Sequence, residues 1–396
     1  MIRSIEQADF AGKTVVVRVD FNVPLDKQQQ ITDDRRMRAA LPTLNYILER
    51  GGALVLMSHL GRPKDAPEDK YSLRHLQNHL GELLGRPVFF VNDCVSEAAF
   101  NVTSHLMPGD VVLLENVRFY PGETKGDRAL AEKMSHHGSV FVNDAFGSAH
   151  RAHSSVSVIA ESFEEKYAGY LLLAEVENAR KVLESAEHPY VAIMGGAKVS
   201  DKMLVIEQLL TRVDTLIIGG GMAYTFLKAQ GKNVGKSLVE DDRLDIAREV
   251  IAKAAARGCK LVLPVDSVIA DAFAADANHQ TVSNDAIPDG WMGLDIGPES
   301  VKQFKAALVG AKTILWNGPM GVFEFERFAV GTNAIAQACA EATDAGAYTL
   351  VGGGDSAAAI EASGLESRIS YVSTGGGALL EYLEGKVLPG VAALDY

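Results

Sequence analysis

The sequence predicts an α/β protein made of two doubly wound parallel-sheet domains of the Rossmann-like kind. Three observations predict it. Short, near-continuous apolar runs recur along the chain, amphipathic helical stretches lie between them, and 396 residues exceed what one hydrophobic core holds. Runs that are apolar throughout belong to strands covered on both faces, as in parallel sheets.

In the first half the runs are VVVRVDF (15–21), ALVLMSHL (53–60), VFFV (88–91), VVLLENVRF (111–119) and VFVNDAF (140–146). The second half has VAIM (191–194), TLII (215–218), LVLPV (261–265), TILW (313–316), YTLV (348–351) and ISYV (369–372). Patterns such as RRMRAALPTLNYILERG and DRLDIAREVIAKAAARG read as the intervening helices. Residues 161–189 have helical spacing and no strand, so 170–188 is expected to be a connecting helix between domains 1–169 and 189–377. No low-complexity linker separates them, so the connection is stiff.

Composition narrows the function. A hydrophobic fraction of 47% belongs to a folded chain with sizeable cores. The net charge of −13 is uneven: residues 1–160 hold 18 basic and 19 acidic side chains, the remainder 20 and 32. No domain is strongly basic, which argues against nucleic acid as a partner. Cys94, Cys259 and Cys339 have no CxxC spacing, which argues against a disulfide framework or a cysteine zinc site. No run approaches 18 apolar residues and the start lacks a signal-peptide pattern, so no membrane partner and a cytoplasmic location are expected.

Ligands of such sheets gather outside the carboxyl ends of the strands, so the residues after each run carry the information. In the first half they are Asp20, Asn22, His59, Arg62, Arg118, Asp144, His150 and Arg151. Twelve of the nineteen arginines fall at or before Arg151. Arginine suits dianionic oxygens through paired, charge-assisted hydrogen bonds, so an anion cradle is read here. Each of these residues taken singly also reads as an ordinary surface group or buried tie. Their occurrence at four strand ends favours the cradle. His150 and His153 raise a metal site, but no HExxH or tight carboxylate–histidine set accompanies them.

In the second half the followers are Gly195-Gly196, Gly219–Gly221, Asn317-Gly318-Pro319, Gly352–Gly354 and Gly375–Gly377. GGAKVSDK (195–202) follows a strand and is expected to open a helix, with Lys198 and Lys202 spaced i, i+4 on one face. In GGGDSAAA (352–359), Asp355 suits Mg²⁺ and Ser356 suits a phosphate, although a plain helix cap explains either. Repeated glycine loops favour a nucleotide. QGKNVGKS (230–237) is a decoy: its glycines are one residue too close for a P-loop, and it follows a helix. The GxGxxG fingerprint of dinucleotide sites is missing.

These motifs together resemble the 3-phosphoglycerate kinase family. VVVRVDFNVP, DDRRMRAALPTL, SHLGRP, NVRFYPGE, DAFGSAHRAHSS, GGAKVSDK, IIGGGMAYTFLK, MGLDIGPES, WNGPMGVFE, GGGDSAAA and STGGGALLEYLEGKVLPG match its blocks in order, from residue 15 to 390. The resemblance implies two α/β domains with a cleft and hinge between them, and a C-terminal segment, 378–396, folded back on the first. It implies that Asp20, Phe21, Asn22, Arg36, His59, Leu60, Gly61, Arg62, Arg118 and Arg151 hold the phosphoglycerate. Arg36 is preferred to Arg35 because it stands two before Arg38. Lys202, Gly219, Gly220, Gly293, Asn317, Glu324, Gly353, Gly354, Asp355 and Ser356 would hold the nucleotide, with Glu324 on the ribose, Gly219 and Gly220 behind the adenine, and Asp355 on Mg²⁺. Ser356 stands where the family usually has threonine, and QQQ (28–30) lengthens a turn.

The implied reaction is reversible phosphoryl transfer between 1,3-bisphosphoglycerate with Mg·ADP and 3-phosphoglycerate with Mg·ATP, by a monomer acting on small molecules. A carboxylate nucleophile is already ionised at neutral pH, so no general base is required. Arg36, Lys198 and Lys202 are the expected catalytic groups, acting by charge neutralisation. The glycine loops at 195–196 and 375–377 are expected to present helix N-termini to the moving group.

Overall fold

The structure is a computed structural model describing residues 2–64 and 66–395. The chain divides into two compact units, Met1–Glu177 with Lys386–Tyr396, and Asn178–Gly385. The first division falls inside the helix Tyr170–Glu184, within the segment read as connecting helix.

The first unit is built on six strands, β1 (Thr14–Arg18), β2 (Ala53–Met57), β3 (Phe89–Val91), β4 (Val111–Leu114), β5 (Val140–Asn143) and β6 (Glu165–Ala168). All pair in parallel, in the order β3-β4-β2-β1-β5-β6. The central strands are buried on both faces, which is why they read as unbroken apolar runs. Strand β6 corrects the expectation that 161–189 holds no strand. Its sequence, EKYA, is half polar because it is a sheet edge, where Glu165 reaches Lys13 at 2.8 Å. Residues 386–395 pack on this unit, where the Gly390 N–H donates to Ala149 O (2.8 Å) and Asn143 Nδ2 donates to Gly390 O (3.1 Å).

The second unit contains β7 (Tyr190–Met194), β8 (Thr215–Ile218), β9 (Lys260–Val262), β10 (Asp266–Ala270), β11 (His279–Ser283), β12 (Met292–Ile296), β13 (Thr313–Asn317), β14 (Tyr348–Gly352) and β15 (Tyr371–Val372). Six of them form a parallel sheet ordered β15-β14-β13-β7-β8-β9. The other three form an antiparallel sheet, β11-β10-β12, which the apolar runs do not announce. The reason is composition: β11 reads HQTVS and is largely exposed, and β10 mixes Asp266 and Ser267 with apolar residues. The run 261–265 ends as a strand at Val262, before Pro264. Among the described residues no helix is long and apolar enough to cross a membrane.

Candidate active site

In the first unit, β4, β2, β1 and β5 are neighbours, so the loops beyond their carboxyl ends stand side by side. Asp20, beyond β1, is buried and accepts Arg36 Nη1 at 2.8 Å. Burial opposes its ionisation, but the Arg36 and Arg18 guanidinium groups outweigh that and hold its carboxyl below the usual range. Arg35 points elsewhere and pairs with Asp33 at 2.6 Å. Asn22 Oδ1 accepts the Gly61 N–H (2.8 Å), tying the β1 loop to the β2 loop. Arg118 Nη1 donates to Gly61 O (2.8 Å), which brings in the loop after β4.

His59 is buried, and Arg18 Nη2 lies 3.3 Å from its Nδ1. Burial pushes the ring well below the ordinary imidazole range, with Asp20 opposing and Arg18, Arg118 and Arg36 adding. It is therefore neutral. Because an arginine only donates, Nδ1 is the acceptor and Nε2 carries the proton. Arg62 and Arg151 are exposed, and their guanidinium groups make no hydrogen bond or ion pair with the described residues. His153 is 9% exposed, and burial with the nearby arginines drives it down to about 4, so it too is neutral. Phe21 and Leu60, expected among the binding residues, have their side chains in the hydrophobic core. They contribute by fixing the loops, as when the Phe21 N–H donates to Ser58 Oγ (2.8 Å).

The residue missed in sequence is Arg18, 1% exposed at the end of β1. Its Nε donates to Ser155 Oγ (2.8 Å), and Ser155 in turn donates from Oγ (2.6 Å) and N (2.9 Å) to Glu123, which is fully buried. This buried cation ties the end of β1 to His59 and, through Ser155, to Glu123. The available signal was a charge inside an apolar strand run, VVVRV, where an unpaired cation would be costly.

In the second unit the loops after β14, β13, β7 and β8 are adjacent for the same reason. Residues 195–202 form turns, and the helix starts only at Met203, which corrects the expected helix at the glycine pair. Gly196 sits at φ +97°, outside the helical region, so Lys198 and Lys202 do not share a helix face. Lys198 is exposed, whereas Lys202 is half-buried and donates to Asn317 Oδ1. Burial lowers the Lys202 ammonium, with Asp201 and Asp355 opposing. Asn317 is fully buried, and its Nδ2 donates to Gly352 O (2.7 Å), locking the β13 loop to the β14 loop.

Asp355 is exposed in the first turn of the helix Gly354–Ala362 and has no ion-pair partner among the described residues. One free carboxylate at a helix N-terminus suits Mg²⁺ that takes its other ligands from phosphates and water. Among the described residues no cluster of three or more acidic, histidine or cysteine side chains offers a metal cage. Ser356, expected at the phosphates, is fully buried and its Oγ accepts the Gly318 N–H (2.6 Å). That bond braces two loops and leaves the hydroxyl's own proton to donate.

A cavity of about 670 Å³ opens beside these loops. Gly196, Gly220, Pro319, Asp355 and Glu324 are among its lining residues, with Tyr224, Leu238, Phe273, Met292 and Gly293. Gly293 is obligatory: a Cβ there would lie 1.8 Å from Tyr224 Oη, which donates to Ser267 Oγ. Gly219 lies behind Met320 and does not line the cavity.

An arginine-lined rim in one α/β unit, and in the other a glycine-walled cavity flanked by a lysine and a carboxylate, both suit phosphorylated ligands. The class these units define is a kinase. The family profile described as phosphoglycerate kinase matches residues 5–386. A phosphoglycerate kinase of Synechococcus elongatus is 55% identical over 394 residues, covering 100% of this chain and 98% of its own. A chloroplastic one of Volvox carteri is 54% identical, covering 100% and 86%. The solved structure of phosphoglycerate kinase from Coxiella burnetii matches at TM-score 0.89 and 41% identity, covering 100% and 99%. That from Pyrococcus horikoshii matches at 0.86 and 31%, covering 100% and 98%. The chain belongs to the phosphoglycerate kinase family, and its activity is phosphoryl transfer to and from phosphoglycerate in glycolysis.

Proposed function

We propose that the first unit holds the phosphoglycerate and the second the adenine nucleotide, each through the groups described above. Arg62, Arg118 and Arg151 supply charge-assisted donors to the phosphate, and Asn22 and His59 Nε2–H orient the carboxylate end. Arg36 is oriented by Asp20 and left with donors for the transferring group. Lys202, pinned by Asn317, and Lys198 neutralise the phosphoryl oxygens as they move. Glu324 accepts from the ribose. Mg²⁺ held by Asp355 and phosphate oxygens would add positive charge at the same point.

No proton needs to be removed, because the accepting carboxylate is ionised at neutral pH. Catalysis therefore rests on alignment, which supplies roughly 7–11 kcal/mol in favourable cases, and on charge neutralisation. Direct transfer requires the two sites to meet with both ligands bound, so we propose hinge closure, in a monomer working in the cytoplasm. The observation that carries this reading is the half-buried Lys202 held on Asn317, with Asp355 acting on its charge. A coupled assay of ATP-dependent 3-phosphoglycerate phosphorylation tests it, with Mg²⁺ removed by chelation as control. Small-angle scattering should give the smallest radius with both ligands present; equal radii in all states would reject closure.

A further inference from the structure

The QGKNVGKS segment is no P-loop, yet one of its lysines lies in the cavity wall. Lys236 lines the cavity with Tyr224, Leu238 and Gly293. Its backbone is held on both sides: the Lys236 N–H donates to Trp291 O (2.8 Å), and Ser237 Oγ accepts the Gly293 N–H (2.9 Å). Side chains elsewhere in that wall are committed. Tyr224 Oη donates to Ser267 Oγ at 2.8 Å. Asp295 accepts from Ile296 N (2.8 Å) and Gly331 N (2.7 Å). Glu324 and Asp355 are acceptors only. Lys236 is thus the one lining side chain with a donor to spare, and it has no ion-pair partner among the described residues.

We infer that Lys236 reads the nucleobase, donating to the acceptor edge of a purine. This rests on the nucleotide reading above. On that reading Asp355 and the β14 loop take the phosphates, and the base is assigned to the wall where Ser237 holds Gly293 against Tyr224. An ammonium can donate but not accept. Adenine presents an acceptor, N7, next to the donor amino group at C6, whereas a 6-oxopurine presents N7 and O6 as two adjacent acceptors, which suits lysine better. The pocket should therefore accept 6-oxopurine diphosphates as readily as ADP, and Lys236 should be the cause.

The test compares kcat/KM for IDP and ADP in the wild type, Lys236→Met and Lys236→Arg. The ratio removes the loss of long-range attraction to the phosphates, which both nucleotides share. IDP should equal or exceed ADP in the wild type. The IDP:ADP ratio should fall about ten-fold in Lys236→Met, the worth of one charge-assisted hydrogen bond at about 1.4 kcal/mol, and recover in Lys236→Arg. An unchanged ratio in Lys236→Met means the ammonium stays in water and overturns the inference. Phe273→Trp separates the two levels, because Phe273 lines the same wall. Nucleotide-dependent fluorescence beyond the wild type's, with an unchanged ratio, refutes only the role of Lys236. No such fluorescence with either nucleotide refutes the location of the base as well.

Discussion

Arg36 Nη1 lies 2.8 Å from Asp20 Oδ2, while its neighbour Arg35 is engaged by Asp33. Two adjacent arginines on one helix thus face different partners, because successive helical positions are about 100° apart.

Arg36→Ala should lower kcat/KM for 3-phosphoglycerate by about a hundred-fold or more, since in the proposed mechanism it removes a charge from the transferring group. Arg35→Ala should change it less than three-fold. Steady-state kinetics on both variants decides, and equal effects would contradict the pairing as the basis for the difference.

Lys202→Ala should reduce kcat by about 10²–10³-fold with little change in KM for 3-phosphoglycerate. Thermal melting should move only slightly, because Asn317 keeps its bond to Gly352. A normal kcat would remove Lys202 from the catalytic set.

Gly293→Ala should weaken ADP binding about ten-fold or more, because its Cβ would collide with the Tyr224 hydroxyl in the cavity wall. Calorimetric titration with ADP measures this, and 3-phosphoglycerate affinity should stay unchanged.

Asp295 gives a pH prediction. Burial raises its carboxyl to about 7 in the fold, against about 3.9 for an unfolded aspartate. Between those values the native state holds the proton more tightly, so stability falls as pH rises from about 4 to about 7. Asp295→Asn keeps an oxygen for the Gly331 N–H and does not titrate. Its melting temperature should gain on the wild type's as pH rises from 5 to 8, and parallel profiles would refute the assignment.

Much of the arginine rim was legible because the residues follow strand runs, and strand ends are where such sheets place ligands. Arg18 was not legible as a support, since its partners Ser155 and Glu123 come from loops far along the chain. The antiparallel sheet was hidden for another reason: β11 is polar and exposed, so no apolar run marks it.

What the sequence by itself determined is the chemistry on offer: which strand ends carry arginines, which carry glycines, and where a lone carboxylate follows a glycine loop. Those are local properties of the chain. Tertiary structure alone decided which groups are free to meet a ligand. Neighbouring β13 and β14 bring the Gly318 N–H onto the Ser356 hydroxyl, so the GGGDSAAA loop is braced by a strand end distant in sequence. Lys236 looks like part of a failed P-loop, but hydrogen bonds from Lys236 N to Trp291 and from Gly293 to Ser237 fix it in the cavity wall. The availability of a polar group depends on which distant backbone satisfies it, and strand order sets that.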